Sequence, residues 1–480
     1  MKALAARALD TCQTLGAHYA DIRIVHSESE SLTVRNGDVA AVSSEASLGF
    51  GIRVLVDGAW GFAASSLLVD REIDRVAEQA VAIAKASRLA MRKPARLGPP
   101  VASRGSYRTP VAEDPFAIPL SRKLAILLAA DAAMAETRAV RTREGSLGWQ
   151  RQTKLFASTE GALVEQTLVE TGGQIEATAV SDADVQKRSY PNSFGRHMGT
   201  AGFEIVDAMD LPGNAARIAE EAAALLAAPP CPAGQTTLVL DSSQLALQVH
   251  ESVGHPVELD RVFGAEASFA GTSFLEPDMA GGYRYGSDLM SVTADATVPG
   301  GPGTFGYDDE GVPAQAAPII REGIFQDFLS SRETAAEIGR ASNGTMRADS
   351  WAHIPLIRMT NVNLEPGEHE SLEALLADVA EGVYMQTNKS WSIDDRRLNF
   401  QFGAEIAWEI KQGRLGRLLR NPCYSGMTPE FWASCDGLGD RSTWKMWATP
   451  NCGKGQPGQT AHVGHGSPPG RFRDVKVGSA

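Results

Sequence analysis

Residues 47–66, SLGFGIRVLVDGAWGFAASS, carry the clearest structural signal in the first half of the chain. Apolar residues alternate with small or polar ones on both sides of Asp57-Gly58, a dipeptide that favours the positive φ angles of a tight hairpin turn. The stretch therefore predicts two antiparallel strands. Alternating runs before it, with a second turn signal at residues 36–38, extend the predicted sheet towards the N-terminus.

Helical periodicity flanks this predicted sheet on both sides. Apolar residues at helical spacing predict one helix over 2–16 and another over 69–89. The same order recurs further along, with a predicted helix over 118–136, three strand-like runs and a helix that ends near residue 228. This recurrence is typical of an internal duplication, although ordinary α+β domains can show the same order.

The stretch PPCPAGQ (229–235) is the best candidate for a domain boundary, because its prolines cannot continue a helix. We therefore expect an N-terminal α+β domain over 1–228, built as helix, antiparallel sheet and helix and duplicated if the recurrence is real. A C-terminal domain over 235–480 should be largely antiparallel β-structure that carries one buried helix. The predicted fold class is α+β.

Composition and charge exclude several classes of function. The 480 residues carry a formal net charge of −13 without a basic block, which argues against nucleic-acid binding. Five cysteines, odd in number and irregularly spaced, do not resemble a disulfide framework. The N-terminus lacks the apolar core of a signal peptide, and no apolar stretch is long enough for a bilayer. We expect a cytoplasmic protein without nucleic-acid or membrane partners.

The hexapeptide HESVGH (250–255) is similar to the His-Glu-x-x-His zinc motif but has one residue too many. On a regular helix, residues five apart point about 140° away from each other, too wide to share one ion. Gly254 tolerates unusual backbone angles and Pro256 removes a backbone donor, so either a one-residue π-type bulge forms around 252–256 or the helix ends at Gly254 and His255 folds back. We expect the bulge. Asp241 is the predicted N-cap of this helix, with Gln244 answering it as in a capping box.

A catalytic zinc centre needs three protein ligands and one open position. His250 and His255 are the first two candidates, and Glu251 is placed to act as the general base. Such a base takes a proton from the metal-activated water and gives it to the leaving amine. The candidates for the third ligand, which spacing alone does not separate, are Glu258, Cys452, His462 and His465.

Segments along almost the whole chain resemble a known family, the TldD branch of the TldD/PmbA family. Its members are zinc-dependent peptidases that are also described as modulators of DNA gyrase. The segments that carry the resemblance are GFGIRVLVDGAWGFAASS (49–66), HESVGHPVELDRV (250–262), GTFGYDDEGVPAQ (303–315), SNGTMRA (342–348), RMTNVNLEPG (358–367), SIDDRRLNFQFGAEIAWEI (392–410) and CGKGQPGQ (452–459).

The resemblance implies a zinc centre formed by His250, His255 and Cys452, with Glu251 as the general base. It also implies hydrolysis of small or unfolded peptides, which we expect to add as a strand to a sheet edge. The related TldE (PmbA) branch lacks these ligands and pairs with TldD. A dimer is therefore expected, either of identical chains or with a TldE/PmbA-like paralogue.

Two other clusters have open roles in the sequence. Tyr307 is a candidate oxyanion donor, and Asp308 and Asp309 beside it could bind a peptide amine or form an acidic turn. Residues 394–397 (DDRR) could form an ion-pair cluster at a domain joint or a substrate clamp.

Two rival functions also stay open. One is a non-enzymatic scaffold or peptide-binding subunit with a structural metal, which a closed site with Glu258 or His465 as fourth ligand would support. The other uses Cys452 as a nucleophile with a histidine base.

Overall fold

The structure is a computed structural model that describes residues 1–479. Its first part is one eight-stranded sheet covered by five helices. The strands are β1 (Tyr19–Arg35), β2 (Asp38–Val56), β3 (Ala59–Ser65), β4 (Arg104–Arg108), β5 (Val140–Ser158), β6 (Leu163–Val180), β7 (Val185–Tyr190) and β8 (His197–Gly199). The helices are α1 (Lys2–Thr14), α2 (Asp70–Ser87), α3 (Leu120–Ala135), α4 (Glu204–Met209) and α5 (Leu211–Ala227).

The two halves of this sheet repeat one arrangement. The strand order is β3-β2-β1-β5-β6, with β7 and β8 antiparallel to β6 and β4 parallel to it. β1 and β5 pair antiparallel in the middle, so each half is a helix, three antiparallel strands and closing helices. The predicted hairpin turn is confirmed, with positive φ at both Asp57 (51°) and Gly58 (81°). The predicted recurrence of element order is confirmed as well.

The helices cover this sheet with small apolar residues. α2 buries Ile73, Val76, Ala80 and Ala84 against the β1–β3 half. The contact is close, because a Cβ on Gly61 of β3 would lie 2.1 Å from the Ala80 carbonyl oxygen. No helix within residues 1–479 combines the length and the apolar character that crossing a membrane requires.

The second part of the chain is mostly antiparallel strand. Its strands are β9 (Gly234–Leu240), β10 (Val292–Asp295), β11 (Ala316–Arg321), β12 (Ile324–Phe325), β13 (Met346–Arg347), β14 (Leu356–Ile357), β15 (Val362–Leu364), β16 (Glu381–Ile393), β17 (Asn399–Lys411), β18 (Arg414–Leu419), β19 (Pro422–Met427), β20 (Cys435–Leu438), β21 (Lys445–Lys454), β22 (Gln459–Ser467) and β23 (Gly470–Ser479). Its α-helices are α6 (Ser242–Val249), α7 (Leu259–Val262), α8 (Arg332–Glu337), α9 (Leu372–Leu376) and α10 (Thr428–Ala433).

Strand pairing closes part of this second region into a ring. β9 pairs with β23 and β16, β16 pairs with β17, and β19 joins β17 to β23. Only the β9–β16 pair in this ring is parallel. α6 follows β9 directly, and all eight of its residues are buried, with Leu245 and Val249 in the main core. The predicted α+β class, with a largely antiparallel second half that carries one buried helix, is confirmed.

Buried ion pairs join the two parts of the molecule. Lys154 of β5 donates to Asp309 at 2.6 Å, and the Arg188 guanidinium of β7 donates to Glu405 of β17 at 2.9 Å. Arg53 of β2 reaches Glu310 at 3.3 Å. The acidic stretch 308–310 is therefore a buried, ion-paired joint, since two of its carboxylates bind cations of the N-terminal sheet. The division at residues 229–234 stays a prediction.

Candidate metal centre

α6 carries its polar C-terminal end into the interior because its whole surface is buried. The predicted N-cap is confirmed, since the Asp241 carboxylate accepts from the Ser243 backbone N–H at 2.9 Å. Gln244 does not complete a capping box and instead donates to the Tyr424 hydroxyl at 3.2 Å. Leu245 and Val249 lie in the core. The residues that follow them, His250 and Glu251, are consequently buried too.

The π-helical turn His250–Gly254 confirms the predicted distortion, although it begins two residues earlier than expected. The His255 N–H donates to the His250 carbonyl at 3.2 Å, which is the hydrogen bond that closes a π turn. Trp432 Nε1 donates to Ser252 Oγ at 2.9 Å, and the Tyr285 hydroxyl donates to the Ser252 carbonyl. Because Pro256 has no N–H to offer the Ser252 carbonyl, the Tyr285 hydroxyl supplies the bond that the helix backbone cannot.

The turn brings three possible metal ligands together. One nitrogen each of His250 and His255 and the sulfur of Cys452 all lie within 4.8 Å of one another. The two imidazole rings are 4.7 Å apart at their centroids and nearly perpendicular. Cys452 comes from β21, about 200 residues later in the chain. Among residues 1–479 this is the group of His, Cys, Asp and Glu side chains whose geometry could hold a metal ion.

A third histidine, His465, determines which ring nitrogen of His250 is free to bind a metal. His465 Nδ1 lies 3.1 Å from the Val362 carbonyl, an acceptor, so this nitrogen must carry the proton. Burial and the neighbouring His250 hold the pKa of His465 well below its usual value, which keeps the ring neutral. His465 Nε2 then accepts from His250 Nδ1 at 2.7 Å. The free lone pair of His250 is therefore on Nε2.

Glu258 determines which ring nitrogen of His255 is free to bind a metal. His255 Nδ1 donates to Glu258 Oε2 at 3.0 Å, which leaves Nε2 for a metal. Arg261 Nε also donates to Oε2, at 3.2 Å, and the Lys454 ammonium lies 3.3 Å from Oε1. Burial would raise the pKa of Glu258, but Lys454 and His255 hold it well below its usual range. Glu258 and His465 thus contact the Nδ1 atoms of the two histidines.

The pKa shifts of the three candidate ligands favour the forms that bind metal. Burial lowers the pKa of both His250 and His255, which favours neutral imidazole. Burial would raise the pKa of the Cys452 thiol, but the Arg358 charge and a hydrogen bond with His255 outweigh it and lower the pKa. Neutral imidazole and thiolate are the forms that coordinate zinc.

Glu251 is held by an arginine from the DDRR stretch. Arg397 Nη1 donates to Glu251 Oε2 at 2.8 Å, and Nη2 donates to the Ala270 carbonyl at 3.1 Å. Arg397 has φ of 62°, a left-handed conformation that few non-glycine residues adopt. Asp394 fixes that turn, because its carboxylate accepts from the Leu398 N–H at 2.8 Å. The stretch 394–397 therefore places a cation beside the motif glutamate.

Tyr307 and His462, two other residues predicted for the site, contact the N-terminal sheet. The Tyr307 N–H donates to Gln166 Oε1 at 2.9 Å, and its ring packs against a small cluster around Phe156 in the N-terminal sheet. His462 contacts the Glu170 carboxylate through Nδ1. Neither residue is in the three-ligand group, and the oxyanion role of Tyr307 stays a prediction.

Sequence reasoning missed two cations of this site. Arg358 donates to the Cys452 carbonyl, and Lys454 is fully buried beside Glu258. Both lie in segments quoted for the family resemblance, RMTNVN and CGKG. A charged residue between two apolar neighbours, Ile357 and Met359, was the available signal for Arg358.

Family models match the chain along most of its length. The model for the PmbA/TldA metallopeptidase domain 1 matches residues 20–84, and that for the central domain matches residues 113–228. The model for the C-terminal domain of the same metallopeptidases matches residues 233–479, which include the three-ligand group.

Three curated relatives are similar in sequence. A metalloprotease of Synechocystis is 31% identical over 96% of this chain and 95% of its own length. A metalloprotease of Methanothermobacter thermautotrophicus is 29% identical over 96% and 95%. A zinc metalloprotease TldD homolog of Saccharolobus solfataricus is 27% identical over 51% of this chain and 52% of its own length.

Two solved structures share the fold. A protein described as a modulator of DNA gyrase from Bacteroides thetaiotaomicron has a TM-score of 0.78 at 15% identity, covering 100% of this chain and 99% of that one. TldE from Thermococcus kodakarensis has a TM-score of 0.73 at 15% identity, covering 99% of each chain. The domain models and the relatives together show that this chain belongs to the PmbA/TldD metallopeptidase family.

Proposed function

We propose that this chain is a zinc-dependent peptidase that hydrolyses small or unfolded peptides. The observation that carries the proposal is the group His250, His255 and Cys452, whose ligand atoms lie within 4.8 Å of one another. Two imidazoles and a thiolate suit zinc, and the lowered pKa values of all three favour their metal-binding forms. The zinc metalloprotease name of the Saccharolobus relative supports the same metal.

The chemistry follows from the residues around this group. A zinc ion bound there would act as a Lewis acid on a carbonyl oxygen and on water. Glu251, next to His250, would take the proton of the attacking water and return it to the leaving amine. Arg397 would keep that carboxylate oriented through its 2.8 Å bond to Oε2.

The test is the variant Glu251→Gln. We expect it to retain about one zinc per chain, because Glu251 is not in the ligand group, and to lose peptide cleavage by about 100-fold or more. Zinc analysis and cleavage of an unstructured fluorogenic peptide measure the two effects. Unchanged turnover would remove Glu251 from the mechanism, and a chelator-resistant activity blocked by alkylation would favour the Cys452 nucleophile instead.

The proposal includes a dimer, either of identical chains or with a TldE/PmbA-like paralogue. This part of the proposal rests on the family resemblance, in which TldD and TldE chains pair. Light scattering of the purified chain, alone and mixed with such a paralogue, measures the mass in solution. The mass of a single chain under both conditions would contradict the dimer.

A further inference from the structure

The N-terminal sheet has an open edge along the first part of β2, residues 38–48. All eleven residues of this stretch are exposed, and β1 pairs with it on one side only. β3 pairs with β2 from Phe50 onwards and leaves the stretch before it uncovered. Within residues 1–479 no strand pairs with the other side of 38–48, so the backbone N–H and C=O groups on that side have no strand partner.

The repeated half of the sheet shows what this edge lacks. β6 holds the place of β2 there, because each pairs through its C-terminal part with the third strand of its half, β7 or β3. The N-terminal part of β6 is covered: β4 pairs with residues 163–167 and β8 with residues 171–173. The equivalent edge therefore carries strands in one half of the molecule and is bare in the other.

Two exposed valines lie along the open edge. Val42 is 60% exposed and pairs with the buried Leu32 of β1. Val39 is 49% exposed and pairs with the buried Val34. Cross-strand partners lie on the same face of a sheet, so both valines extend the core beneath α3 beyond the part that α3 covers.

A second copy of the same strand can pair with this edge. Two β2 strands can lie antiparallel about a two-fold axis, the commonest symmetry of dimers, so that each supplies the partner the other lacks. The stretch has no Lys, Arg or Pro, the residues that usually protect an exposed edge from pairing. In a register centred on Ser43, its two carboxylates, Asp38 and Glu45, lie opposite uncharged residues of the other copy.

An extended peptide substrate is the less favourable occupant. A free peptide loses conformational freedom when it is ordered as a strand, whereas β2 of a second chain is already held by β1. A strand added to β2 would also lie three strand spacings, about 14 Å, from β5. β5 is the strand whose Gln150 contacts His462 on the hairpin that carries Cys452. The edge is therefore remote from the three-ligand group.

We propose that residues 38–48 bind the same stretch of a second copy of this chain as antiparallel strands, which joins two N-terminal sheets into one. The inference rests on the dimer in the proposed function, and it names the surface and an identical chain as the partner. The exposed valines of the two copies then lie on one face of the joined sheet, near the two-fold axis.

Charge substitutions at Val42 test this pairing. Light scattering should give the mass of two chains for the parent and of one chain for both Val42→Lys and Val42→Glu, because like charges then lie beside each other across the axis. An equimolar mixture of the two variants should regain the mass of two chains, because a lysine then lies beside a glutamate. Leu89→Lys is the control, at a residue that is 92% exposed in the turn after α2, and should keep the parent mass.

Three results would overturn the inference. A parent with the mass of one chain, including one that dimerises only with a TldE/PmbA-like paralogue, would exclude an identical partner. A Val42→Lys variant that keeps the mass of two chains would place the dimer contact elsewhere. A mixture that stays at the mass of one chain would mean that β2 does not pair with itself.

Peptide cleavage by the parent, measured on the same sample, separates this inference from the proposed peptidase. If the parent cuts peptide but Val42→Lys keeps the mass of two chains, the peptidase stands and this surface fails. If the masses change as expected but the parent cuts no peptide, the surface stands and the peptidase fails.

Discussion

His465 determines the chemistry of His250 without being in the ligand group. The chain of bonds from the Val362 carbonyl through His465 to His250 Nδ1 leaves only Nε2 of His250 to face a metal. In sequence, the HVGH spacing could equally indicate a direct ligand. The two roles are distinguished only by the tertiary fold, in which the isolated bridge between Asn361 and Gly464 sets β22 beside β15, and by the π turn.

We therefore predict that His465→Ala weakens zinc binding about 10–100-fold, as loss of a partner to a ligating histidine usually does. His465→Gln should retain more affinity, because its amide oxygen can still accept from His250. Competition with a chromophoric chelator measures the affinity, and His26→Ala, in the N-terminal sheet, is the control. Parent-like affinity in His465→Ala would show that His250 needs no such partner.

His197 gives a prediction about acid stability. Burial lowers its pKa to about 4 from the ordinary 6.5, and its ring packs edge-on against Trp447. Between pH 4 and pH 6.5, His197 is mostly protonated in the unfolded chain and mostly neutral in the folded one. The stabilisation is therefore fully present above pH 6.5 and is lost as the pH falls towards 4.

His197→Phe removes this titration while keeping an aromatic ring beside Trp447. On going from pH 7 to pH 5, the parent should lose about 2 kcal/mol more free energy of unfolding than the variant. Urea unfolding at the two pH values measures the difference. If both proteins lost the same free energy of unfolding, folding would not lower the pKa of His197.

The π turn explains how a motif with one extra residue can still form a ligand pair. Its position could be predicted from sequence to within two residues, because Gly254 and Pro256 make a regular helix unfavourable there. The groups that stabilise it could not, since Tyr285 and Trp432 reach Ser252 only through the tertiary fold. The distortion of the helix could therefore be predicted from the sequence, whereas the side chains that stabilise it could not.

Gly254 offers a test of that element. A Cβ at this position would lie 2.3 Å from the Met359 sulfur, in a fully buried region. We expect Gly254→Ala to cost about 1–3 kcal/mol of stability through overpacking and to weaken zinc binding by displacing His250 or His255. Thermal unfolding and zinc affinity measure both effects.

The control is Gly282→Ala, where nothing lies within 4 Å of the added Cβ. This variant should behave like the parent in both measurements. If Gly254→Ala also matched the parent, the turn would be more adaptable than its close packing indicates.

The molecule as a whole is joined by buried charges. Arg188 and Glu405 are each almost fully buried and pair at 2.9 Å between β7 and β17. Removing one partner leaves the other charge buried, so Arg188→Met should cost about 3–5 kcal/mol. Urea unfolding measures this loss.

The double variant Arg188→Met with Glu405→Leu should recover much of that stability, because no unpaired charge remains. Additive losses in the double variant would show that the pair contributes by packing alone.

The helices and strand hairpins could be predicted well, because hairpin turns, helix caps and helical periodicity are properties of short stretches of sequence. Cys452 is different: no spacing rule links it to His250 and His255, and only the family resemblance assigned it. Arg358 and Arg397 lie in segments recognised from the sequence, but their contacts with Cys452 and Glu251 depend on how distant strands meet. Long-range assembly of this kind has no signature in a single sequence.

X-ray absorption at the zinc edge, on the chain loaded with one zinc, tests the ligand set that every step above depends on. We predict one sulfur at about 2.3 Å and two imidazole nitrogens at about 2.0–2.1 Å. The sulfur signal should disappear in Cys452→Ser. A spectrum of the parent without sulfur would contradict the centre formed by His250, His255 and Cys452.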